Sequence, residues 1–331
     1  MMSDVILEVK NLSVRFPIRS GILQRQTGAV QAVSDVSLQV RRGETLGVVG
    51  ESGCGKTTLG RAIVRLYEPS EGTVVFRGED ITHKTHKELS ATRKHMQMIF
   101  QDPYASLNPR KNVGAILEEP LLLNTNMNRE ERLARVFELM DLVGLRRDAM
   151  NRYPHEFSGG QRQRIGIARA IALNPDLIVA DEAVSALDVS IQAQVINLLV
   201  ELQKKLGMAY VFVAHDLAVV QYISDRVAVM YLGRVVELGS SKDVYADPLH
   251  PYTKALLAAV PAAHPKDRKK VQPLTGDVPS PANPPSGCHF HPRCRFATDK
   301  CKTEAPALRR LGHVDVACHH AEKIKSGEVQ A

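Results

Sequence analysis

The stretch Gly50-Glu-Ser-Gly-Cys-Gly-Lys-Thr57 decides the fold of this chain of 331 residues. It fits the phosphate-loop pattern, and it follows the apolar run Leu46-Gly-Val-Val, which is typical of a buried strand. Glycines in such a loop allow several N–H groups to converge on a phosphate, and the helix that follows adds its positive N-terminal end. A glycine-rich turn with no ligand is the alternative that this stretch alone leaves open.

Each position of the loop has a predicted task. Lys56 is expected to bridge the β- and γ-phosphates of a nucleotide, and Thr57 to bind Mg²⁺. The nucleotide-binding set predicted from this stretch consists of Gly50, Ser52, Gly53, Cys54, Gly55, Lys56, Thr57 and Thr58. The small side chain of Cys54 is interpreted as a space requirement of the loop.

A second stretch, Phe157-Ser-Gly-Gly-Gln-Arg-Gln-Arg164, lies about a hundred residues downstream. A Ser-Gly-Gly-Gln loop that enters a helix is suited to capping the γ-phosphate of a nucleotide held by another subunit. The residues predicted to act on the partner's nucleotide are Ser158, Gly159, Gly160 and Gln161.

The apolar segment Leu177-Ile-Val-Ala-Asp-Glu182 is predicted to be a strand that ends in two carboxylates. Asp181 is expected to hold Mg²⁺ through its water shell, and Glu182 to orient or deprotonate the attacking water. A strand that ends in Asp-Glu is common in itself, so the residues that follow give it meaning. These are Ser185, Ala186, Leu187 and Asp188.

Three further side chains complete the predicted site. His215 follows the apolar run that begins at Val211. Gln101 ends the segment Met98-Ile-Phe-Gln. Phe16 is the candidate for stacking on the base, although an ordinary inward-facing strand residue is the alternative.

The order of these motifs over residues 50 to 216 resembles that of the ATP-binding cassettes, and the chain looks like an ABC transporter ATPase subunit. More narrowly, it is similar to the F-type ATPase of oligopeptide and dipeptide importers. The segments that carry this likeness are residues 101–110, 152–157, 188–194 and 250–256. One departure is Ala183, where the family usually has proline, and activity is expected to survive it.

The resemblance implies residue roles. Gln101 would contact Mg²⁺ and the attacking water, and His215 would hydrogen-bond the γ-phosphate. The residues that would lie at the interface between two cassettes are Ser185, Ala186, Leu187 and Asp188.

The resemblance also implies a fold, a mechanism and partners. The fold is α/β, with a RecA-like parallel sheet core, an antiparallel β subdomain and a helical subdomain. ATP with Mg²⁺ would be sandwiched between two cassettes facing head to tail, and its hydrolysis would drive paired membrane subunits. The implied partners are a second, paralogous ATPase, two transmembrane permease subunits and an extracytoplasmic solute-binding protein, which place the chain peripherally on the cytoplasmic face of the inner membrane.

Peptide is the expected cargo, with nickel or another small solute as the competing interpretation. A cassette acting on nucleic acid or ribosomes is disfavoured because only one set of motifs and no sustained heptads are present. A GTPase-like switch is disfavoured because an Asn-Lys-x-Asp motif is missing. The net charge of +7 is dispersed, so it does not indicate a nucleic-acid partner. No apolar run approaches the roughly 20 residues that a membrane span requires.

Hydrophobic periodicity predicts elements around these motifs. Asn128 and Glu131 resemble a capping box for a helix whose apolar stripe is Leu133, Val136, Phe137 and Met140. A second stripe from Val195 to Leu206 predicts another helix, and residues 5–45 and 72–78 favour an antiparallel sheet. The predicted domains are an ATPase domain over residues 1–245, with a helical subdomain at about 103–165, and a proline-rich extension over residues 246–331.

The extension contains a basic stretch, Lys266–Lys270, interpreted as a solvated connector, and four cysteines. Cys288, Cys294, Cys301 and Cys318 are spaced C-x5-C-x6-C-x16-C. Disulfides, a zinc site, a [4Fe–4S] cluster and free thiols all remain open, and the resemblance favours the iron–sulfur cluster because some related importer ATPases carry one in this tail. Four nearby histidines could substitute as ligands, although surface positions are expected for them: His289, His291, His319 and His320.

Overall fold

The computed structural model describes residues 4–21, 25–259, 274 and 276–328. The chain divides into two compact units, each assembled from separate stretches of sequence. The first unit contains Val40–Glu44 and His83–Val213, and the second contains Leu7–Gln39, Thr45–Thr82 and the chain from Ala214 onward. The connector predicted over Lys266–Lys270 lies outside the described residues.

The strands are β1 (Val5–Ser20), β2 (Arg25–Arg41), β3 (Thr45–Val49), β4 (Glu71–Phe76), β5 (Glu79–Asp80), β6 (Met96–Ile99), β7 (Leu177–Asp181), β8 (Ala209–Val213), β9 (Arg226–Tyr231), β10 (Arg234–Ser240), β11 (Arg309–Leu311) and β12 (Val314–Val316). The helices are α1 (Lys56–Ile63), α2 (Leu89–His95), α3 (Pro103–Ser106), α4 (Val113–Asn124), α5 (Arg129–Leu142), α6 (Gly159–Ile171), α7 (Val189–Leu206), α8 (Leu217–Ile223), α9 (Ser241–Ala246), α10 (Pro251–Ala258), α11 (Asp299–Thr303) and α12 (Ala321–Ser326).

In the first unit, β6, β7 and β8 form parallel pairs. Every residue of β7 and β8 is buried, which explains their continuous apolar sequence, since parallel strands are covered on both faces. The helices α3 to α6 belong to the same unit, and α4, α5 and α6 pack on one another. Most of this helical part falls within the predicted helical subdomain, residues 103–165.

The second unit contains an antiparallel sheet in the order β2-β1-β4-β5, where Val9 of β1 faces Val74 of β4. This sheet confirms the antiparallel part predicted near residues 5–45 and 72–78. In the same unit β3 runs parallel to β9, and β10 pairs antiparallel with both β9 and β12. The C-terminal extension therefore adds strands to the sheet that leads into the phosphate loop.

The extension joins the phosphate-loop unit through more than its strands, because all described residues from Ala214 onward cluster in that unit. The domain boundary between residues 245 and 246 stays a prediction.

Within the described part of the chain, no helix combines the length and the apolar character needed to cross a membrane.

The two helices predicted from periodicity are confirmed as α5 and α7. The capping box of α5 is complete. The side chain of Asn128 accepts from the backbone N–H of Glu131, and the side chain of Glu131 accepts from the backbone N–H of Asn128. The predicted apolar stripe is wrong at Leu133, which is 42% exposed, while Val136 and Met140 are buried. The buried face of α5 is formed by Val136, Leu139 and Met140, and at 3.6 residues per turn Leu133 lies about 70° from the centre of that face.

Candidate functional site

The phosphate loop has the backbone conformation that its glycines predict. Gly53 and Gly55 have φ values of 79° and 103°, in the region that favours glycine. A Cβ atom at Gly55 would lie 2.0 Å from the carbonyl oxygen of Ala32, so this position has no room for a side chain. Around Gly53 no atom lies within 4 Å of such a Cβ atom, which leaves that side of the loop open.

Lys56 begins helix α1 and is 4% exposed. Its ammonium group donates to the carbonyl oxygens of Gly50 and Glu51 at 2.8 and 3.0 Å. The loop therefore curves around a cation, and the same curvature suits the phosphates that Lys56 is predicted to bind. Thr57 and Thr58 are half-buried in the first turn of α1, and Ser52 is exposed.

Cys54 is buried within the loop. Its sulfur lies 3.9 Å from the Lys56 nitrogen, and burial raises the pKa of its thiol. A protonated, buried thiol agrees with the interpretation of Cys54 as a small filler of the loop.

In the first unit, the structure brings two predicted catalytic residues together. The side-chain amide of Gln101 donates to a carboxylate oxygen of Glu182 at 2.8 Å. Asp181, the last residue of β7, is fully buried, whereas Glu182 is half-buried. The buried carboxylate suits an outer-shell ligand of Mg²⁺, and the more accessible one suits contact with water.

The segment after Glu182 turns sharply. Ser185 donates to the carbonyl oxygen of Glu182 from its N–H at 3.1 Å and from its hydroxyl at 3.0 Å. Ala183 is 2% exposed and forms part of this turn, so alanine is accommodated where proline was expected. The predicted interface residues follow, with Leu187 half-buried and Ala186 and Asp188 exposed, and Asp188 precedes α7.

The Ser-Gly-Gly-Gln motif forms the beginning of α6. Ser158 caps the helix, because its hydroxyl accepts from the N–H of Gln161 at 3.3 Å and the Gln161 side chain accepts from the N–H of Ser158 at 3.0 Å. Gly160 packs so closely on α7 that a Cβ atom would lie 2.4 Å from Ile191. A Cβ atom on Gly159 would lie 3.5 Å from Leu187, so the motif and the predicted interface segment are neighbours.

His215 is exposed at the start of the connection from β8 to α8, in the second unit. The N–H of Ala214 donates to the carbonyl oxygen of Val48 at 3.2 Å. His215 therefore follows a residue paired with β3, the strand that leads into the phosphate loop.

Phe16 lies on β1 and is half-buried. Its ring makes an edge contact with Tyr67, with 5.3 Å between ring centres. Arg61 donates to the hydroxyl of Tyr67 at 3.0 Å. The aromatic contact supports the ring in place, and its role against a base stays a prediction.

Sequence reasoning missed a group of residues that contact the phosphate loop from the C-terminal part of the chain. Arg293 donates to both carboxylate oxygens of Glu51, at 2.7 and 3.3 Å. The hydroxyl of Tyr252 accepts from the backbone N–H of Glu51 at 2.8 Å. Because these partners are about two hundred residues or more from Glu51, no local pattern could reveal them.

Two cysteines of the extension are paired through their backbones, because the N–H of Cys288 donates to the carbonyl oxygen of Cys301 at 2.8 Å. Repulsion from the other three cysteines of the extension adds to the raised pKa of Cys318. Burial is the main cause of the shift, and it raises the pKa of Cys294 to about 11 and that of Cys318 to about 12. None of the five cysteines forms a disulfide.

The metal site predicted for these cysteines is not supported by the geometry. Among the described residues, no group of three or more Cys, His, Asp or Glu side chains is arranged to hold a metal ion. The sulfur of Cys301 instead contacts the His320 ring at 3.5 Å. His289, expected at the surface, is 8% exposed, and its Nδ1 atom lies 2.9 Å from the carbonyl oxygen of Leu232.

Comparison with known families and proteins agrees with these features. Residues 33–185 match the family described as ABC transporter, and residues 236–301 match the C-terminal region of oligopeptide/dipeptide transporters. The oligopeptide transport ATP-binding protein AppF of Bacillus subtilis is 53% identical over 320 residues, which cover 96% of this chain and 97% of AppF. The dipeptide transport ATP-binding protein DppF of Haemophilus influenzae is 49% identical, with the same two coverages.

Solved structures show the same fold. The dimeric post-hydrolysis ATP-binding cassette MJ0796 with ADP and Pi has a TM-score of 0.64 and 29% identity, covering 71% of this chain and 99% of that one. The cbiO1 protein of Clostridium perfringens, part of a cbiONQ ABC transporter complex, also has a TM-score of 0.64, with 27% identity and coverages of 74% and 92%.

Proposed function

This chain belongs to the ATP-binding subunits of ABC transporters of the oligopeptide and dipeptide group, and we propose that its ATP hydrolysis powers peptide import across a cytoplasmic membrane. The observation that carries this proposal is the agreement over nearly the whole chain with peptide transport ATP-binding proteins, including their C-terminal region. The conformation of the phosphate loop and the contact between Gln101 and Glu182 also support an ATPase role.

In the proposed site Lys56 binds the β- and γ-phosphates, Thr57 binds Mg²⁺, and Asp181 holds that ion through water. Magnesium would neutralise charge that develops on the phosphates. Glu182 accepts the proton of the attacking water, and Gln101 orients that water and the ion.

The hydrogen bond between Gln101 and Glu182 supports this pairing of roles. An amide donor on one oxygen holds the carboxylate of Glu182 in one orientation, and an ionised carboxylate can accept a proton from water. His215 is assigned to the γ-phosphate, and its exposed position after β8 agrees with contact to a ligand.

The Ser-Gly-Gly-Gln motif is assigned to the nucleotide of the partner cassette. Its N–H groups lie at the beginning of α6, a helix of 13 residues, and the N-terminal end of such a helix attracts anions. ATP bound between two cassettes would hold them together, and hydrolysis would release them. That cycle would alternate the membrane subunits between inward and outward access.

An ATP-binding subunit of this group works with membrane permease subunits and a substrate-binding protein. The finer composition that we propose is a paralogous second ATPase and two permease subunits, with this chain peripheral on the cytoplasmic face of the membrane. The surface of the helical unit is suited to such partners, because Leu122 and Leu123 are 57% and 73% exposed.

The proposal is tested in the complete transporter, reconstituted in liposomes with its binding protein. Peptide-loaded binding protein should stimulate ATP hydrolysis and drive peptide uptake. Stimulation by nickel and not by peptide would replace the cargo assignment.

Lys56→Ala tests the nucleotide site separately. It should weaken ATP binding in a nucleotide titration, because the cation that the loop encloses is lost. Lys204→Ala, an exposed lysine on α7, is the matched control and should bind ATP as the wild type does. Unchanged binding by the Lys56 variant would contradict the assignment.

A metal site at the four cysteines has no support from the described residues, and none of the roles assigned above depends on it. Visible absorbance near 400 nm after anaerobic purification would indicate iron–sulfur and distinguish it from zinc.

A further inference from the structure

Glu51 places a carboxylate inside the phosphate loop. Its ion pair with Arg293 is shielded, because the side chains of Arg293 and Glu51 are 7% and 28% exposed. The pairing with Glu51 raises the pKa of the Arg293 guanidinium. Such a pair is only weakly screened by salt, so the loop and the C-terminal extension are firmly joined at this point.

The backbone of Glu51 is held from the same direction. Its N–H donates to the hydroxyl of Tyr252 at 2.8 Å, and the Tyr252 side chain is buried. In a phosphate loop the direction of each N–H group matters, because these groups bind the nucleotide. Tyr252 thus fixes the orientation of a peptide unit immediately after Gly50.

Tyr252 is linked to the sheet through hydrogen bonds at the beginning of α10. Tyr252 lies in the first turn of α10, where its N–H donates to Nδ1 of His250 at 3.1 Å. The carboxylate of Glu237, on β10, accepts from the N–H groups of Leu249 and His250 at 2.7 and 3.0 Å. The beginning of α10 is therefore anchored to a strand of the same unit.

Aromatic rings fill the space between these groups. The ring of Tyr231 lies 4.8 Å from that of Tyr252 and 5.1 Å from that of Phe290, and Phe290 is only three residues before Arg293. The Arg293 guanidinium lies 5.9 Å from the ring centre of Tyr231. Buried rings have few alternative arrangements, so Arg293 is presented to Glu51 in one position.

The charge of Glu51 explains what this arrangement does. A nucleotide triphosphate is a polyanion, and an uncompensated carboxylate in the loop that receives it would repel it. We propose that Arg293 is a positioning residue for ATP, which neutralises Glu51 and, with Tyr252, fixes the phosphate loop in its binding conformation. The C-terminal extension is then a part of the nucleotide site. This inference rests on the ATPase role proposed above.

The test uses the full chain and a fluorescent ATP analogue. Arg293→Gln should weaken binding and raise the KM for ATP by roughly fivefold or more, the lower range of coupling between two sites. The kcat should remain within about twofold, because the groups that act on water are unchanged. Arg295→Gln, an exposed neighbour, is the matched control and should leave both quantities unchanged.

The double variant Glu51→Gln with Arg293→Gln decides whether charge is the cause. It should recover wild-type affinity to within about twofold, because it removes the repulsion together with its compensation. A double variant as weak as Arg293→Gln would overturn the proposal, as would unchanged affinity in the single variant. Thermal melting without nucleotide shows that each variant is folded.

Tyr252→Phe keeps the ring and removes the acceptor of the Glu51 N–H group. It should also weaken binding of the analogue, and it decides the question if Arg293→Gln does not fold. Affinity unchanged in Tyr252→Phe would overturn the role of this contact. Failure of the wild-type chain to bind the analogue would instead refute the ATPase role itself.

Discussion

Glu182 has a φ of 46°, in the left-handed region that residues other than glycine seldom adopt. Such a conformation costs about 1–3 kcal/mol and is found mostly at functional sites. Here it follows directly on Asp181 at the end of β7 and lets the chain turn toward Ser185. Two adjacent carboxylates thereby receive different surroundings, one fully buried and one accessible to water.

Glu182→Gln should keep ATP binding and lose hydrolysis. The amide preserves size and shape but cannot accept a proton, so phosphate release should fall by about 100-fold or more. Nucleotide titration and phosphate release measure the two effects. Glu201→Gln, an exposed position on α7, should leave both unchanged. Normal turnover in the Glu182 variant would refute its role as base.

Gly55→Ala should destabilise the folded chain even without nucleotide. The new methyl group would collide with the backbone at Ala32, and we expect a loss of roughly 3 kcal/mol or more. Gly43→Ala is the matched control, since Gly43 has a φ of 68° but open space around it. The control should lose only about 1–2 kcal/mol. Urea unfolding of both variants measures the difference, and equal losses would show that the collision is relieved.

The local motifs made the conformation of the phosphate loop predictable from sequence, whereas the roles of its residues stay predictions. Gly53 and Gly55 have positive φ values beside Lys56, so the spacing of these residues carries the information. The contacts of Arg293 and Tyr252 with Glu51 could not be predicted, because they depend on how distant segments of the chain pack. The buried surroundings of His289 escaped for the same reason.

At the scale of elements, the capping box of α5 provides a measurable contribution. Asn128→Ala should cost about 1 kcal/mol in unfolding free energy, because the N–H of Glu131 loses its acceptor. Asn128→Ser restores a capping side chain and should recover most of the loss. Chemical denaturation measures both, and equal instability of the two variants would argue against capping as the cause.

The beginning of α10 should respond to pH through His250. Burial lowers the pKa of this imidazole from its ordinary value of 6.5 to about 3, so the folded chain holds it neutral. Its contribution is complete above about pH 6.5, and it is lost as pH falls, because the unfolded chain gains a proton that the folded chain does not.

His250→Asn removes that titration and keeps an acceptor for the N–H of Tyr252. The stability difference between the wild type and this variant should therefore shrink by about 2 kcal/mol between pH 6.5 and pH 5. Glu237, which faces His250, is present in both proteins. Denaturant unfolding across this pH range measures the difference, and a constant difference would mean that the pKa of His250 is the same in the folded and unfolded chains.

Periodic sequence predicted α5 and α7 well, because an apolar stripe must be covered by neighbouring elements. The stripe did not predict which part of it the neighbouring helices cover, and Leu133 is exposed. The small strands β11 and β12 were also missed. Each has three residues, too few for a pattern, and they form because β10 offers an edge for pairing.

At the scale of the whole molecule, this cassette should pair with the second ATPase around ATP when hydrolysis is blocked. In the Glu182→Gln background, Ser158→Arg should prevent ATP-dependent pairing, because a bulky side chain would occupy the surface assigned to the partner's nucleotide. Light scattering with the cognate second ATPase present measures pairing.

Nucleotide titration of the same variant should show unchanged binding to the separate cassette, since Ser158 acts in trans. Ser326→Arg, an exposed serine on α12, is the control and should pair normally. Pairing that survives Ser158→Arg would refute the assignment of the motif to the partner's nucleotide.

The ion pair between Glu51 and Arg293 also has a consequence for biosynthesis. The two residues are separated by 242 positions, and at ribosomal rates this separation corresponds to about 10–50 s of translation. During that interval the nascent cassette already contains its lysine and glycines but lacks the arginine that offsets Glu51. A chain that ends before Arg293 should therefore bind ATP more weakly than the complete chain.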